Sequence, residues 1–143
     1  VRILVLNGPN LGRLGSREPE VYGTTTYAEL VAICLATEPA ADVRQTDDEA
    51  TMLGWLHEAA DARTPVVINP GAWSHYSYAL RDAVSQVASV VEVHLSQTAA
   101  REQFRHHSVI SPVVRGTITG LGVEGYRAAL RYLAASSGDA ARR

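Results

Sequence analysis

Val1-Arg2-Ile3-Leu4-Val5-Leu6 runs directly into Asn7-Gly8-Pro9-Asn10-Leu11-Gly12-Arg13-Leu14-Gly15-Ser16-Arg17-Glu18-Pro19-Glu20-Val21-Tyr22-Gly23. An apolar, β-branched run that stops at Asn-Gly-Pro reads as a buried strand ending in a turn, so everything after Leu6 falls beyond the edge of the sheet. In an open α/β sheet that edge carries the chemistry. The loop to Gly23 exceeds the usual ~2 to 6 residues of a strand-to-helix connection, and loops of that length tend to be lids or binding loops. It also holds Arg13, Arg17 and Tyr22, which a plain turn does not need.

Past this loop, Thr26-Tyr27-Ala28-Glu29 is a capping box, with Tyr27, Leu30, Val31 and Cys34 following at helical spacing. This first helix is expected to end near Glu38, because the residue before Pro39 is pushed out of the α region. Ala41 to Thr46 is a short strand whose Arg44 and Gln45 suit a sheet edge. Asp47 and Asp48 supply negative charge to the start of a second helix, with Met52, Leu53, Leu56 and Ala60 on one face and Trp55 and His57 off it. Pro65 to Asn69 is a third strand that stops at Asn69-Pro70-Gly71, and Ser74 is the expected cap of a third helix with the stripe Tyr76, Ala79, Leu80, Ala83, Val84 and Val87. Ser89 to Leu95 is a fourth strand ending in His94-Leu95-Ser96. A short helix over Ala99 to Arg105 and a loop through His106, His107 and Pro112 lead to a fifth strand, Val113 to Thr119. After the Gly120-Leu121-Gly122 turn, Tyr126, Ala129, Leu130 and Leu133 mark the closing helix. Residues 1–135 read as one domain and 136–143 as a disordered tail.

Strands alternating with helices at this spacing imply a parallel sheet covered on both faces. Right-handed crossovers then favour a doubly wound, flavodoxin-like α/β fold with five strands in the order 2-1-3-4-5. In that order the switch point lies between strands 1 and 3, with strand 4 alongside. The segments Asn7 to Asn10, Asn69 to Gly71 and His94 to Ser96 therefore gather at one crevice by topology alone.

Composition narrows the function. The 143 residues suit one domain, which buries ~68 to 70% of its unfolded surface. With 13 Lys and Arg against 15 Asp and Glu, the net charge of -2 supplies no basic field for nucleic acid. A single cysteine, Cys34, builds no disulfide framework or thiolate metal site within one chain, which points to a reducing, cytoplasmic setting. No run approaches the ~18 apolar residues of a membrane span, and the first residues lack a signal-peptide layout, so no membrane partner is expected. A start at Val1 leaves room for a removed initiator segment.

The blocks NGPNLGRLGSREPEVYG (7–23), INPGAWSHYSYALRDA (68–83) and VEVHLSQTAAREQFRHHSVISP (91–112) resemble type II 3-dehydroquinate dehydratases, and GTITGLGVEGYRAALRYL (116–133) is similar to that family's last strand and helix. Two helix-to-strand links, Ala36 to Asp42 and the one before strand 4, look shorter than the family's, both at the far end from the crevice. The resemblance implies a lyase that eliminates water from 3-dehydroquinate in the anti sense, through an enolate, to give 3-dehydroshikimate, without metal or organic cofactor. Such an enzyme serves the shikimate pathway of aromatic amino acid biosynthesis or quinate catabolism. The resemblance also implies a homo-oligomer, trimers gathered into a dodecamer.

That chemistry needs a base for the proton α to a ketone, an acid for the departing hydroxyl and a stabiliser of enolate charge. The resemblance assigns Tyr22 as base and Arg17 as the cation that stabilises its phenolate and the transition state. A phenol with an unperturbed pKa of ~10 is a poor base at neutral pH, but a guanidinium 4 Å away favours the anion by ~4 kcal/mol at an effective dielectric of 20. His94 is the matched acid, and Glu92, two residues earlier on the same strand, points to the same face and can fix its tautomer. Asn10 is the matched enolate stabiliser, directly or through a held water. Asn69, Gly71, His75, Asp82 and Arg105 match the substrate-binding set, together with Leu95 and Ser96, whose backbone N–H groups could receive the substrate carboxylate. Asp82 could act from a neighbouring subunit. Asn7 reads as a turn asparagine. The bland alternatives are an aromatic loop anchor for Tyr22, a solvated charge for Arg17 and a satisfied buried pair for Glu92 and His94.

Gly120-Leu121-Gly122-Val123-Glu124-Gly125 is a literal G-x-G-x-x-G, yet the further strand and acidic residue of a dinucleotide unit are missing, so close helix-to-strand packing is the better reading. The five histidines include no H-x-x-x-H, and no metal is expected. A phosphate or nucleotide sensor of the same fold, or an inactive relative kept for assembly, are the competing classes; a sensor has no use for Arg17, Tyr22 and a Glu-oriented His94.

Overall fold

The β-branched runs of the sequence fall in the middle of the sheet. The computed structural model describes residues 2–16 and 18–141. Its strands are β1 (Ile3–Asn7), β2 (Ala41–Gln45), β3 (Val66–Asn69), β4 (Val90–His94) and β5 (Gly116–Thr119), all parallel and in the order β2-β1-β3-β4-β5. This is the expected doubly wound order. Every residue of β1, β3 and β4 is buried, as central parallel strands covered on both faces must be. The ladder sets Asn7 opposite Asn69, so the carboxyl ends of β1 and β3 finish level.

The helices are α1 (Pro19–Tyr22), α2 (Tyr27–Thr37), α3 (Glu49–Ala62), α4 (Tyr78–Val84) and α5 (Glu124–Ala141). Alternation along the strands sorts the core into two layers. Ile3, Val5, Val67, Val91 and Val93 pack with Leu30 and Cys34 of α2 and with Tyr126, Leu130 and Leu133 of α5. Leu4, Leu6, Val66, Ile68 and Val90 pack on the opposite face with Met52 and Leu56 of α3 and Leu80 and Val84 of α4. Full burial of each such side chain contributes about 1.5 to 3 kcal/mol.

The capping box forms: the Thr26 hydroxyl accepts from the Glu29 N–H and the Glu29 carboxylate from the Thr26 N–H. Asp48 caps α3 through the Thr51 N–H. At the start of α4 the expectation needs correction, because Ser77 and not Ser74 is the cap, accepting from the Leu80 N–H. Ser74 is fully buried in a 3-10 turn, Gly71–His75, and donates to the Gly71 carbonyl. Trp73, drawn into the layer under α4, holds this turn inward and delays the helix by one turn. Tyr76 and Ala79 consequently face outward, and the buried stripe is Leu80, Ala83, Val84 and Val87.

Other expectations shift as well. The single short helix over 99–105 is two 3-10 turns, Thr98–Ala100 and Gln103–Arg105. β5 starts at Gly116, since Pro112 and Val113 belong to another 3-10 turn, Ser111–Val113, and a proline cannot donate to a ladder. The loop after β1 contains a 3-10 turn, Leu11–Arg13, and the short α1. The backbone of α5 is helical on to Ala141, past Ser136 where the sequence reading begins a tail.

Asn7 is no turn residue. It is fully buried as the last residue of β1; its Oδ1 accepts from the Tyr126 hydroxyl at 2.6 Å and its Nδ2 donates to the Arg44 carbonyl at 3.2 Å. The same Tyr126 oxygen accepts from Asn69 Nδ2 at 2.9 Å, and Asn69 Oδ1 accepts from the Gly71 N–H at 3.1 Å. The two turns that follow also meet directly: a Cβ on Gly8 would lie 2.8 Å from the Pro70 carbonyl oxygen and 3.2 Å from Trp73 Cε3. Gly71, at φ 57°, closes against the Pro9 carbonyl from the other side. The glycine pattern at 120–125 packs as expected, since a Cβ on Gly125 would stand 3.1 Å from Val93 Cγ1.

Gly8→Ala must push the two turns apart, and the expected outcome is a loss of about 1 to 3 kcal/mol of stability, read as a lower urea midpoint with unchanged slope. An unchanged midpoint would mean the turns separate freely.

Candidate active site

Topology brings most of the expected residues together. Asn10, Tyr22, Asn69, Gly71, His75, His94, Leu95, Ser96 and Arg105 line one cavity of about 130 Å³ at the carboxyl edge of β1, β3 and β4, with Arg101. Glu92 stands behind His94. Asp82 is exposed on α4 and is not among the residues lining the cavity of its own chain. Arg17 lies outside the described residues.

Asn10 enters the site on a left-handed backbone, φ 70°, a conformation that asparagine tolerates better than other side-chain-bearing residues. Its N–H donates to Asp47 Oδ1 at 2.8 Å, and Gln45 Nε2 bridges Asp47 to the Gly8 carbonyl at 3.1 Å each. The edge strand β2 therefore braces the loop after β1. Beyond β4, the Gly120 and Gly122 N–H groups donate to the His94 and Leu95 carbonyls, fixing the chain as it leaves the sheet.

Tyr22 closes α1, half-buried against the layer that contains Leu11, Leu14 and Leu95. The Arg101 guanidinium stacks on its ring, 5.0 Å from the centroid, and donates to the Ser96 hydroxyl at 3.3 Å. Sequence reasoning missed Arg101. Its spacing of four from Arg105 was visible in the sequence, but its ring partner, Tyr22, lies far away in the chain. Arg101 and Arg105 are the cations among the described residues lining the cavity, and none of those residues is acidic. The site is built for a small anion.

His75 Nδ1 lies 2.9 Å from the His107 carbonyl, which can only accept, so the Nδ1 proton is assigned there and Nε2 is left for other contacts. Burial lowers the His75 pKa, against the pull of the His107 carbonyl, and the neighbouring charges of His94 and Arg105 act with burial.

Glu92 and His94 alternate to the same face of β4, as expected, with His94 Nε2 2.6 Å from Glu92 Oε2. Glu92 has no solvent exposure. Burial alone would raise its pKa, but the hydrogen bond and charge of His94, together with the Ser111 and Ser108 hydroxyls, hold the carboxyl below its usual value. Among the described residues no group of three histidines, cysteines or carboxylates is placed to hold a metal ion, and no helix is long and apolar enough to cross a membrane.

A phenol under a guanidinium, an imidazole backed by a buried carboxylate and amides at a switch point make the site of an acid–base enzyme for a small polar anion. The chain belongs to the class II dehydroquinase family, whose model matches residues 1–134. It is 64% identical over 140 residues to the 3-dehydroquinate dehydratase of Salinispora tropica, covering 94% of this chain and 98% of that one. The 3-dehydroquinate dehydratase of Mycobacterium tuberculosis is 56% identical over 136 residues, covering 91% and 92%. The crystal structure of the type II dehydroquinase from Propionibacterium acnes superimposes with a TM-score of 0.92 at 59% identity, over 94% of this chain and 96% of that one. The enzyme from Butyrivibrio crossotus gives 0.89 at 41% identity, over 93% and 97%.

The depressed pKa of Glu92 carries a stability prediction. A carboxyl with a lowered native pKa stabilises the fold above its unfolded value, ~4.3, and loses that contribution as pH falls through the native value. The stability gap between the parent and Glu92→Gln is therefore expected to be constant near neutrality and to shrink below the ordinary glutamate range, as read by urea midpoints against pH. A gap independent of pH would show that Glu92 is not held as an anion.

Proposed function

We propose that the protein is a lyase that dehydrates 3-dehydroquinate to 3-dehydroshikimate, the reaction of its family in the shikimate pathway, with quinate catabolism as the alternative setting. The observation that carries this reading is the convergence of Tyr22 under the Arg101 guanidinium with a Glu92-backed His94 on one anion-accepting cavity.

In this reading Tyr22, as phenolate, takes the proton α to the ketone, and the C–H electron pair moves into the enolate. Arg101 from the described structure and Arg17 from the family pattern favour the negative phenolate. Asn10, directly or through a water, holds the enolate oxygen. Collapse of the enolate expels the hydroxyl in the anti sense, and His94 protonates it, so the C–O bond breaks and water leaves. Tyr22 then carries one proton more and His94 one fewer, and exchange with solvent restores both. Asn69, Gly71, His75 and Arg105 would grip the ring substituents, and backbone N–H groups at Leu95 and Ser96 the carboxylate. No step calls for a metal or organic cofactor.

Asp82 fits a role in a neighbour's cavity, as in trimers gathered into a dodecamer. Its exposed position on α4, beside the exposed aromatic residues Tyr76 and Tyr78, supports that assembly. Sedimentation at the mass of one chain would contradict it. The lone, buried Cys34 is consistent with a cytoplasmic setting.

Tyr22→Phe removes the proton acceptor and keeps the ring under Arg101. The expected outcome is turnover reduced ~10²- to 10⁴-fold, with calorimetric affinity for the substrate largely retained. Turnover near the parent's would remove Tyr22 from the base role.

A further inference from the structure

The chemistry above needs a Glu92 carboxylate that stays ionised without water around it, and, besides His94, the residues that help achieve this are Ser108 and Ser111, which have no part in the cavity wall. The carboxylate accepts from three sides. Ser108 Oγ lies 2.8 Å from Oε2 and Ser111 Oγ 2.6 Å from Oε1, while Thr117 Oγ1 of β5 approaches Oε1 at 3.4 Å and Ser111 Oγ at 3.3 Å.

For Ser108 the direction is fixed by the hydroxyl's other partners. Ser108 Oγ accepts from the Ile110 and Ser111 N–H groups, both at 3.1 Å, which occupies its lone pairs and leaves its one proton for Glu92. An ionised carboxylate is an acceptor only, so a Glu92 held as the anion requires a donor from the imidazole. That donor is Nε2–H of His94, and Nδ1 is bonded to none of the described residues. A Glu92 carrying its proton on Oε2 would face the Ser108 hydroxyl proton.

We propose that Ser108 and Ser111 are positioning residues for the dehydration: their hydroxyls clamp the Glu92 carboxylate so that His94 keeps Nε2–H on Glu92 and, when doubly protonated, presents Nδ1–H to the departing hydroxyl. This inference rests on the proposed acid role of His94. Neither serine lines the cavity, and both act through Glu92. The charged and titratable groups around the pair are His75, from the turn after β3, and Arg105, His106 and His107, from the segment after β4, all lining a second depression together with Glu92 and His94. None of these histidines or Arg105 is hydrogen-bonded to Glu92 in the described structure, whereas the two serines are.

Ser111→Ala is the cleaner test, because Ser108 also ties the backbone of its turn. Hydrogen bonds to a charged group set the scale: kcat is expected to fall ~10- to 100-fold, with KM within ~3-fold. With one donor gone the buried carboxylate takes up its proton at higher pH, so the acidic limb of the kcat profile moves upward. In the ¹⁵N spectrum of the folded protein, the neutral form of His94 is expected to be held with its proton on Nε2 in the parent and to become a tautomer mixture in the variant. Parent-like kcat, acidic limb and His94 shifts in Ser111→Ala would overturn the clamp. A lower rate without movement of the limb or of the His94 signals would also overturn it, leaving a packing role. If the parent itself fails to dehydrate 3-dehydroquinate, the proposed function falls, and the ¹⁵N comparison still decides whether the serines hold the pair.

Discussion

A single hydroxyl deep in the sheet layer holds the two switch-point strands together. Tyr126 donates to Asn7 and accepts from Asn69, and burial raises its pKa, so it remains a protonated donor throughout the working range. Because Asn7 must accept from it, its amide nitrogen turns to the Arg44 carbonyl; because Asn69 must donate to it, its amide oxygen turns to the Gly71 N–H. One hydroxyl thus sets both amide orientations at the site's floor and starts both turns in register. Leaving any of these buried groups unpaired would cost roughly 1 to 3 kcal/mol, more than a mobile loop could recover by relaxing. The cavity is an outcome of this tie: Gly8 and Gly71 let the turns close on each other, and Asn10 and Asn69 are carried to the same wall.

Charge is arranged around that floor in two separate devices. On one side the Arg101 guanidinium lies over the Tyr22 ring in the cavity wall. On the other a fully buried carboxylate is held by serine hydroxyls and an imidazole, where every donor is needed to offset burial. In the proposed reaction a base and an acid must work at the same pH, and the phenol and the imidazole stand in these two unlike environments. Arginines at the rim and no acid in the described lining supply the attraction for an anionic substrate.

The fold was legible because its signals are local and repeated. Capped helices, β-branched strands and Asn-Gly-Pro or Asn-Pro-Gly stops alternate along the chain, and right-handed crossovers leave few ways to join them. Glu92 and His94 were legible for the same reason, since strand alternation alone puts them on one face. What sequence could not give depends on contacts far apart in the chain. Asn7 looked like a turn residue because its partner, Tyr126, is 119 positions away. Ser74 and Ser77 are equally good caps by composition, and only the inward pull of Trp73 selects Ser77. Arg101 went unnoticed because its ring partner, Tyr22, lies on another loop, and Ser108 and Ser111 because they serve a carboxylate on a strand they do not adjoin in sequence.

The most direct measurement is a turnover assay on the purified protein treated with chelator, following the ultraviolet absorbance of the conjugated enone as 3-dehydroquinate is added. The account predicts steady growth of the 3-dehydroshikimate band without added metal or cofactor. A flat trace from folded protein in its native assembly would contradict it.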